Sequence, residues 1–175
     1  MANLKDILSS ASLENLTSSQ AVDGSVFRMH LGAKEGVKGK NSGDDGRNKY
    51  FVVLGHDSEG NAIGFVLVDT NINPNLPIKR QKAHYKILAK DNAFLDGVDR
   101  YVDCSDFKVI SKKRFAELFG KEKAKGTVDA ASLTTIKEMT SNYEDASPKM
   151  LKRFGLETRD NKRDMVITQE ILDEL

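Results

Sequence analysis

Apolar residues concentrate in one stretch of this chain. Residues 49–70 read Lys-Tyr-Phe-Val-Val-Leu, then Gly-His-Asp-Ser-Glu-Gly-Asn-Ala, then Ile-Gly-Phe-Val-Leu-Val-Asp-Thr. Two arms of β-branched and aromatic residues flank a run of turn formers, which predicts a central hairpin buried on both faces. The turn, Asp57 to Asn61, looks superficially like a calcium loop but lacks the closing glutamate, so it is read as a turn. Upstream, Phe27, Met29 and Leu31 alternate with polar neighbours and predict a first strand over residues 24–31. Five glycines at 32, 36, 39, 43 and 46 then predict a long, mobile surface loop. It has neither P-loop nor dinucleotide-fingerprint spacing, so the readings are a linker or direct backbone contact with a nucleic-acid strand.

Beyond the hairpin, Pro74 and Pro77 mark a turn, and Tyr85 and Ile87 alternate with His84 and Lys86 as in a strand with one wet face. Lys79, Arg80, Lys82, Lys86 and Lys90 form a block of cations without an acid. That block fits a phosphate-backbone contact or a lysine-protected sheet edge. Residues 100–110 read as a last strand bent near Ser105, followed by a helix that Ser111 caps and Gly120 stops. Leu133, Ile136 and Met139 recur at helical spacing, and Ser147-Pro148 opens a short helix ending at Gly155. At the N-terminus, Leu4, Ile7, Leu8 and Ala11, then Leu13 and Leu16, predict one or two short covering helices. The tail suggests a short strand or turn at Val166-Ile167 and an acidic helical turn over 168–175.

Strands clustered at short intervals, with helices before and after, exclude a doubly wound parallel sheet. The expected class is α+β: a small, strongly bent antiparallel barrel with helices packed on it. Its segments are an N-terminal helical piece at 1–22, the barrel with its following helix at 23–120, and a C-terminal helical region at 121–175.

Composition narrows the chemistry. With 27 basic and 26 acidic residues the net charge is only +1, so any electrostatic role rests on local clusters. A lone cysteine rules out an internal disulfide framework and fits a reducing, cytoplasmic compartment. No signal-peptide core or membrane-length apolar run is visible, and no membrane partner is expected. The three histidines are scattered and Cys104 is alone, so the expectation is no metal and no cofactor. No nucleophile elbow is present, and Cys104 reads as a core thiol.

What remains is metal-free chemistry from positioned cations and a hydroxyl. Cleavage of RNA by its own 2′-hydroxyl needs that hydroxyl deprotonated, the phosphorane stabilised and the leaving oxygen protonated. Arg47 and Lys49 stand at the start of one hairpin arm and Thr70 at the end of the other. An antiparallel pairing therefore brings them to one rim.

With Gly24-Ser-Val-Phe, the loop, Arg47-Asn-Lys49-Tyr-Phe-Val-Val-Leu, Asp69-Thr70-Asn71 and Tyr101-Val-Asp-Cys-Ser, residues 24–120 resemble the MazF/PemK (CcdB-like) toxin family. The resemblance implies an SH3-like barrel and a dimeric, metal-independent endoribonuclease acting on single-stranded RNA and held in check by an antitoxin protein. It places the catalytic arginine at Arg47 or Lys49 and the catalytic hydroxyl at Thr70; the ribonuclease reading adds His84 as an acid/base helper. RNA would be bound by Lys38, Lys40, Asn71, Lys79, Arg80 and Lys82, with Tyr50 or Tyr85 stacking a base. Two departures stand out: Ser25 replaces the family's usual aspartate, and its Arg-Pro pair is missing. If Lys49 fills the arginine's place, the bidentate fork to phosphate is lost. The competing expectations are a barrel that binds nucleic acid or protein without cleavage, and a protein-interaction fold with an inert rim.

Overall fold

In the computed structural model, residues 9–119 and 124–157 are described. The expectations for residues 2–8, the Gly120 stop, residues 121–123 and the tail at 166–175 lie outside them. The described residues form an α+β fold around a curled antiparallel sheet. A helix comes first, α1 (Ser10–Ser18), followed by strand β1 (Ser25–Gly32). The central hairpin consists of β2 (Gly46–His56) and β3 (Ala62–Asp69), as the apolar pattern predicts. Alternation sends Val52 and Leu54 into one apolar cluster and Phe51 and Val53 into another, so the hairpin is buried on both faces. Its turn is held by Asp57, whose Oδ1 accepts the amides of Asn61 at 2.7 Å and Ala62 at 3.0 Å.

Residues 78–90 divide in two. A short helix α2 (Ile78–Lys82) follows Pro77, and the edge strand β4 (His84–Ile87) follows it, with Ile87 buried and Lys86 exposed. The bent strand appears as β5 (Arg100–Asp103) and β6 (Lys108–Ser111). Both pair with β3, β5 near its end and β6 near its start. Helix α3 (Lys112–Phe119) starts on the Ser111 hydroxyl, which accepts the Arg114 amide at 3.1 Å, and buries Phe115 fully. A two-residue strand β7 (Gly126–Thr127) pairs with β1. A Cβ at Gly126 would lie 2.3 Å from the Phe94 ring, so only glycine admits that close approach. Helices α4 (Ala130–Ser141) and α5 (Pro148–Arg153) begin on the side chains of Asp129 and Ser147.

Strand order is β4-β5-β3-β2-β1-β7, with β6 also on β3. Among the described residues no helix is long and apolar enough to cross a membrane. The glycine-rich loop after β1 is pinned early. Buried Glu35 accepts the Gly32 amide at 2.9 Å and Arg114 Nε at 2.8 Å, and Val37 is buried in the second cluster.

Candidate functional site

Side-chain alternation decides what meets at the end of the sheet. On β2, Arg47 and Lys49 share the Phe51 side. On β3, Asp69 shares the Phe65 side, and on β4 and β5 the inward positions Ile87 and Val102 leave His84 and Asp103 to that same side. These residues, with Thr70, Asn71, Asn73, Leu76 and Arg80, line one cleft of about 460 Å³. It thus gathers Arg47, Lys49, Thr70, His84, Asn71 and Arg80 from the residues singled out in sequence. Lys38, Lys40, Tyr50, Lys79, Lys82 and Tyr85 do not line it. Lys79 bridges Glu144 and Asp145, each at 2.7 Å, and those carboxylates hold its ammonium strongly protonated. Tyr85 donates to or accepts from Ser132 Oγ at 3.0 Å and packs on the first apolar cluster. Tyr50 lies on the opposite face of the sheet between Arg28 and Arg100, whose guanidinium carbons stand 5.8 and 5.0 Å from its ring centre.

The cleft's cations are not equivalent. Lys49 is mostly buried and its ammonium is paired with Asp69. Arg80 reaches Asp103 Oδ2 at 3.2 Å and Ser105 Oγ at 3.0 Å. Arg47 is exposed, and its side chain makes no hydrogen bond or ion pair with the described residues. Arginine, with its planar fork and weak hydration, is the better partner for a phosphate.

His84 is almost wholly buried, its side chain 1% exposed. Its Nδ1 lies 2.8 Å from the carbonyl of Arg80, and a carbonyl only accepts, so Nδ1 carries a proton. That leaves Nε2 facing Asp103 Oδ1 at 4.0 Å. An imidazole fixed in this tautomer can gain a proton at Nε2 beside a carboxylate and give it up to a leaving oxygen.

Asp69, His84 and Asp103 offer donor atoms within 4.8 Å of one another, a grouping that scattered sequence positions do not reveal. The donor set suits a divalent cation. Both carboxylates, however, are already countered by Lys49 and Arg80, so an ion would have to displace the Lys49 ammonium. Asp103 also accepts the Ser105 amide and hydroxyl. Cys104 next to it is buried, and burial pushes its thiol up to about 12, which removes it as a nucleophile at neutral pH.

No protein-family model matches the chain, and no curated protein matches it.

Proposed function

We propose that this chain is a toxin-like endoribonuclease that cleaves single-stranded RNA at the Arg47–Thr70–His84 cleft by attack of the 2′-hydroxyl on the adjacent phosphate. One observation carries the reading: an unpaired arginine, a hydroxyl and a tautomer-locked histidine drawn from three separate segments converge on one cleft. In this scheme His84 Nε2 takes the 2′-hydroxyl proton as that oxygen attacks the phosphorus and returns it to the leaving 5′-oxygen, while Arg47 stabilises the phosphorane charge and Thr70 hydrogen-bonds the phosphoryl group. Asn71, Asn73 and Arg80 position the strand. No metal is required by this chemistry. The resemblance to the MazF/PemK family supports the same assignment, together with an SH3-like arrangement of the strands, a homodimer, an antitoxin partner and a cytoplasmic setting.

The Lys49–Asp69 pair favours a second reading, in which the cleft holds a phosphate backbone without cutting it, because one of its two rim cations is already neutralised. Both readings are separated by incubating purified protein with mixed-sequence RNA in EDTA. The first expects fragments, and a loss of about 100-fold in rate for Thr70→Ala or Arg47→Ala. Salt-sensitive binding without scission would establish the second instead.

A further inference from the structure

Thr70 is more than a rim hydroxyl: it is where the cleft meets the opposite face of the sheet. The register Asp69↔Tyr101, continued by one residue, sets Thr70 opposite Arg100, and Arg100 Nη1 donates to Thr70 Oγ1 at 3.1 Å. One row further in, Arg28, Tyr50, Val68 and Val102 lie side by side across β1, β2, β3 and β5. Arg28 and Arg100 both stand over the Tyr50 ring. Neither is paired with a carboxylate among the described residues, in contrast to Lys49, Lys79, Arg80 and Lys86. Arg100 Nε is moreover buried with no hydrogen-bond partner. A purely structural arginine rarely gives up a donor in this way, since a buried donor left without a partner destabilises the fold.

We propose that Arg100 and Arg28, backed by Tyr50, form a phosphate subsite for the nucleotide next to the cleft, so that a single strand crosses the rim at Thr70 and runs onto the opposite face. The proposal rests on the nucleic-acid reading of the cleft but not on catalysis. It also fixes the role of Thr70. Because Oγ1 accepts from Arg100, the hydroxyl hydrogen is directed away from that guanidinium and is free for Thr70 to donate to the phosphoryl group. The aromatic ring beneath the two guanidinium groups holds them in place without neutralising them.

The test uses full-length protein and uncleavable 2′-O-methyl oligonucleotides of two and eight residues, read by fluorescence anisotropy across a salt series. For the octamer, Arg100→Gln and Arg28→Gln should each weaken binding roughly tenfold and lower the salt slope by about 0.7. For the dinucleotide, which fills the cleft alone, Arg28→Gln should match wild type, while Arg100→Gln, which also removes the donor to Thr70, is read on the octamer. Lys137→Gln, whose lysine pairs with Asp23 at 2.6 Å, should change neither. Arg100→Lys, which keeps the charge, should recover the slope, and thermal melts identify any variant that fails to fold. Octamer binding unchanged by both glutamine variants overturns the subsite, as does an equal loss for the dinucleotide with Arg28→Gln. Wild-type binding of these strands, together with no cutting of the matching unmodified RNA in EDTA, would remove the catalytic reading and leave the subsite standing. No binding by wild type would overturn both.

Discussion

Arg47 and Lys49 stand two positions apart on one strand and point to the same side, yet only Arg47 is left unpaired. The difference comes from Asp69, which the β2–β3 pairing carries next to Lys49. Their approach to Thr70 is legible in sequence because a hairpin forces strand ends together. The ion pairs are not, because Asp69, His84 and Asp103 come from three strands whose register only the folded sheet sets. Two other carboxylates shape stability rather than function. Burial by itself would push the Glu35 and Asp57 carboxyls up. Arg114 and the Gly32 amide for Glu35, and the Ala62 amide, Arg153 and the Asn61 amide for Asp57, outweigh it and hold both below their usual range. A depressed folded-state value contributes stability above the ordinary carboxylate range and loses it as pH falls through the folded values. The urea midpoint should therefore stay level from pH 7 to about 5 and fall below about pH 4. The Glu35→Gln/Asp57→Asn double variant should show a shallower fall. An equal acid slope in the double variant would show that these two groups do not drive it.

The central hairpin, the bent strand, the helices opening at Ser111 and Ser147 and the helix carrying Leu133, Ile136 and Met139 follow from period and capping residues, and the Asp129 cap of that last helix is seen only in the fold. Two elements do not. The 78–90 segment carries a strand pattern only in its second half, and Pro77 with the residues after it turns the first half into α2, which aims Arg80 at Asp103. Strand β7 has two residues and no apolar signal, and it forms because Gly126 lets β1 pair beneath Phe94. Glycines also set the approach of β1 to β2 at the cleft's side. A Cβ at Gly46 would lie 2.2 Å from the Leu31 carbonyl oxygen, a backbone atom that cannot step aside cheaply. Gly46→Ala should accordingly destabilise the fold by about 1–3 kcal/mol. It should also lower RNA affinity, because it shifts the strand at the residue preceding Arg47. A urea-denaturation curve and an anisotropy titration check this. Unchanged stability would mean that the strand end is more pliant than its register implies.

At the scale of the molecule, a nearly neutral chain presents a local imbalance: Lys49 and Arg80 are paired with acids, while Arg47, Arg28 and Arg100 are not paired with a carboxylate among the described residues around one rim. The sheet makes this arrangement by ending β2, β3, β4 and β5 together, so that both of its faces open at Thr70. Composition could not reveal it, since charge balance over the whole chain hides where individual carboxylates fall. The most direct measurement compares a mixed-sequence RNA with its 2′-O-methyl counterpart, each incubated with the purified protein in EDTA and read by mass spectrometry of the products. Attack by the 2′-hydroxyl predicts fragments ending in a 2′,3′-cyclic phosphate from the RNA, an intact 2′-O-methyl strand, and no fragments above background from Arg47→Ala. Intact RNA, or cutting of the 2′-O-methyl strand, would contradict it.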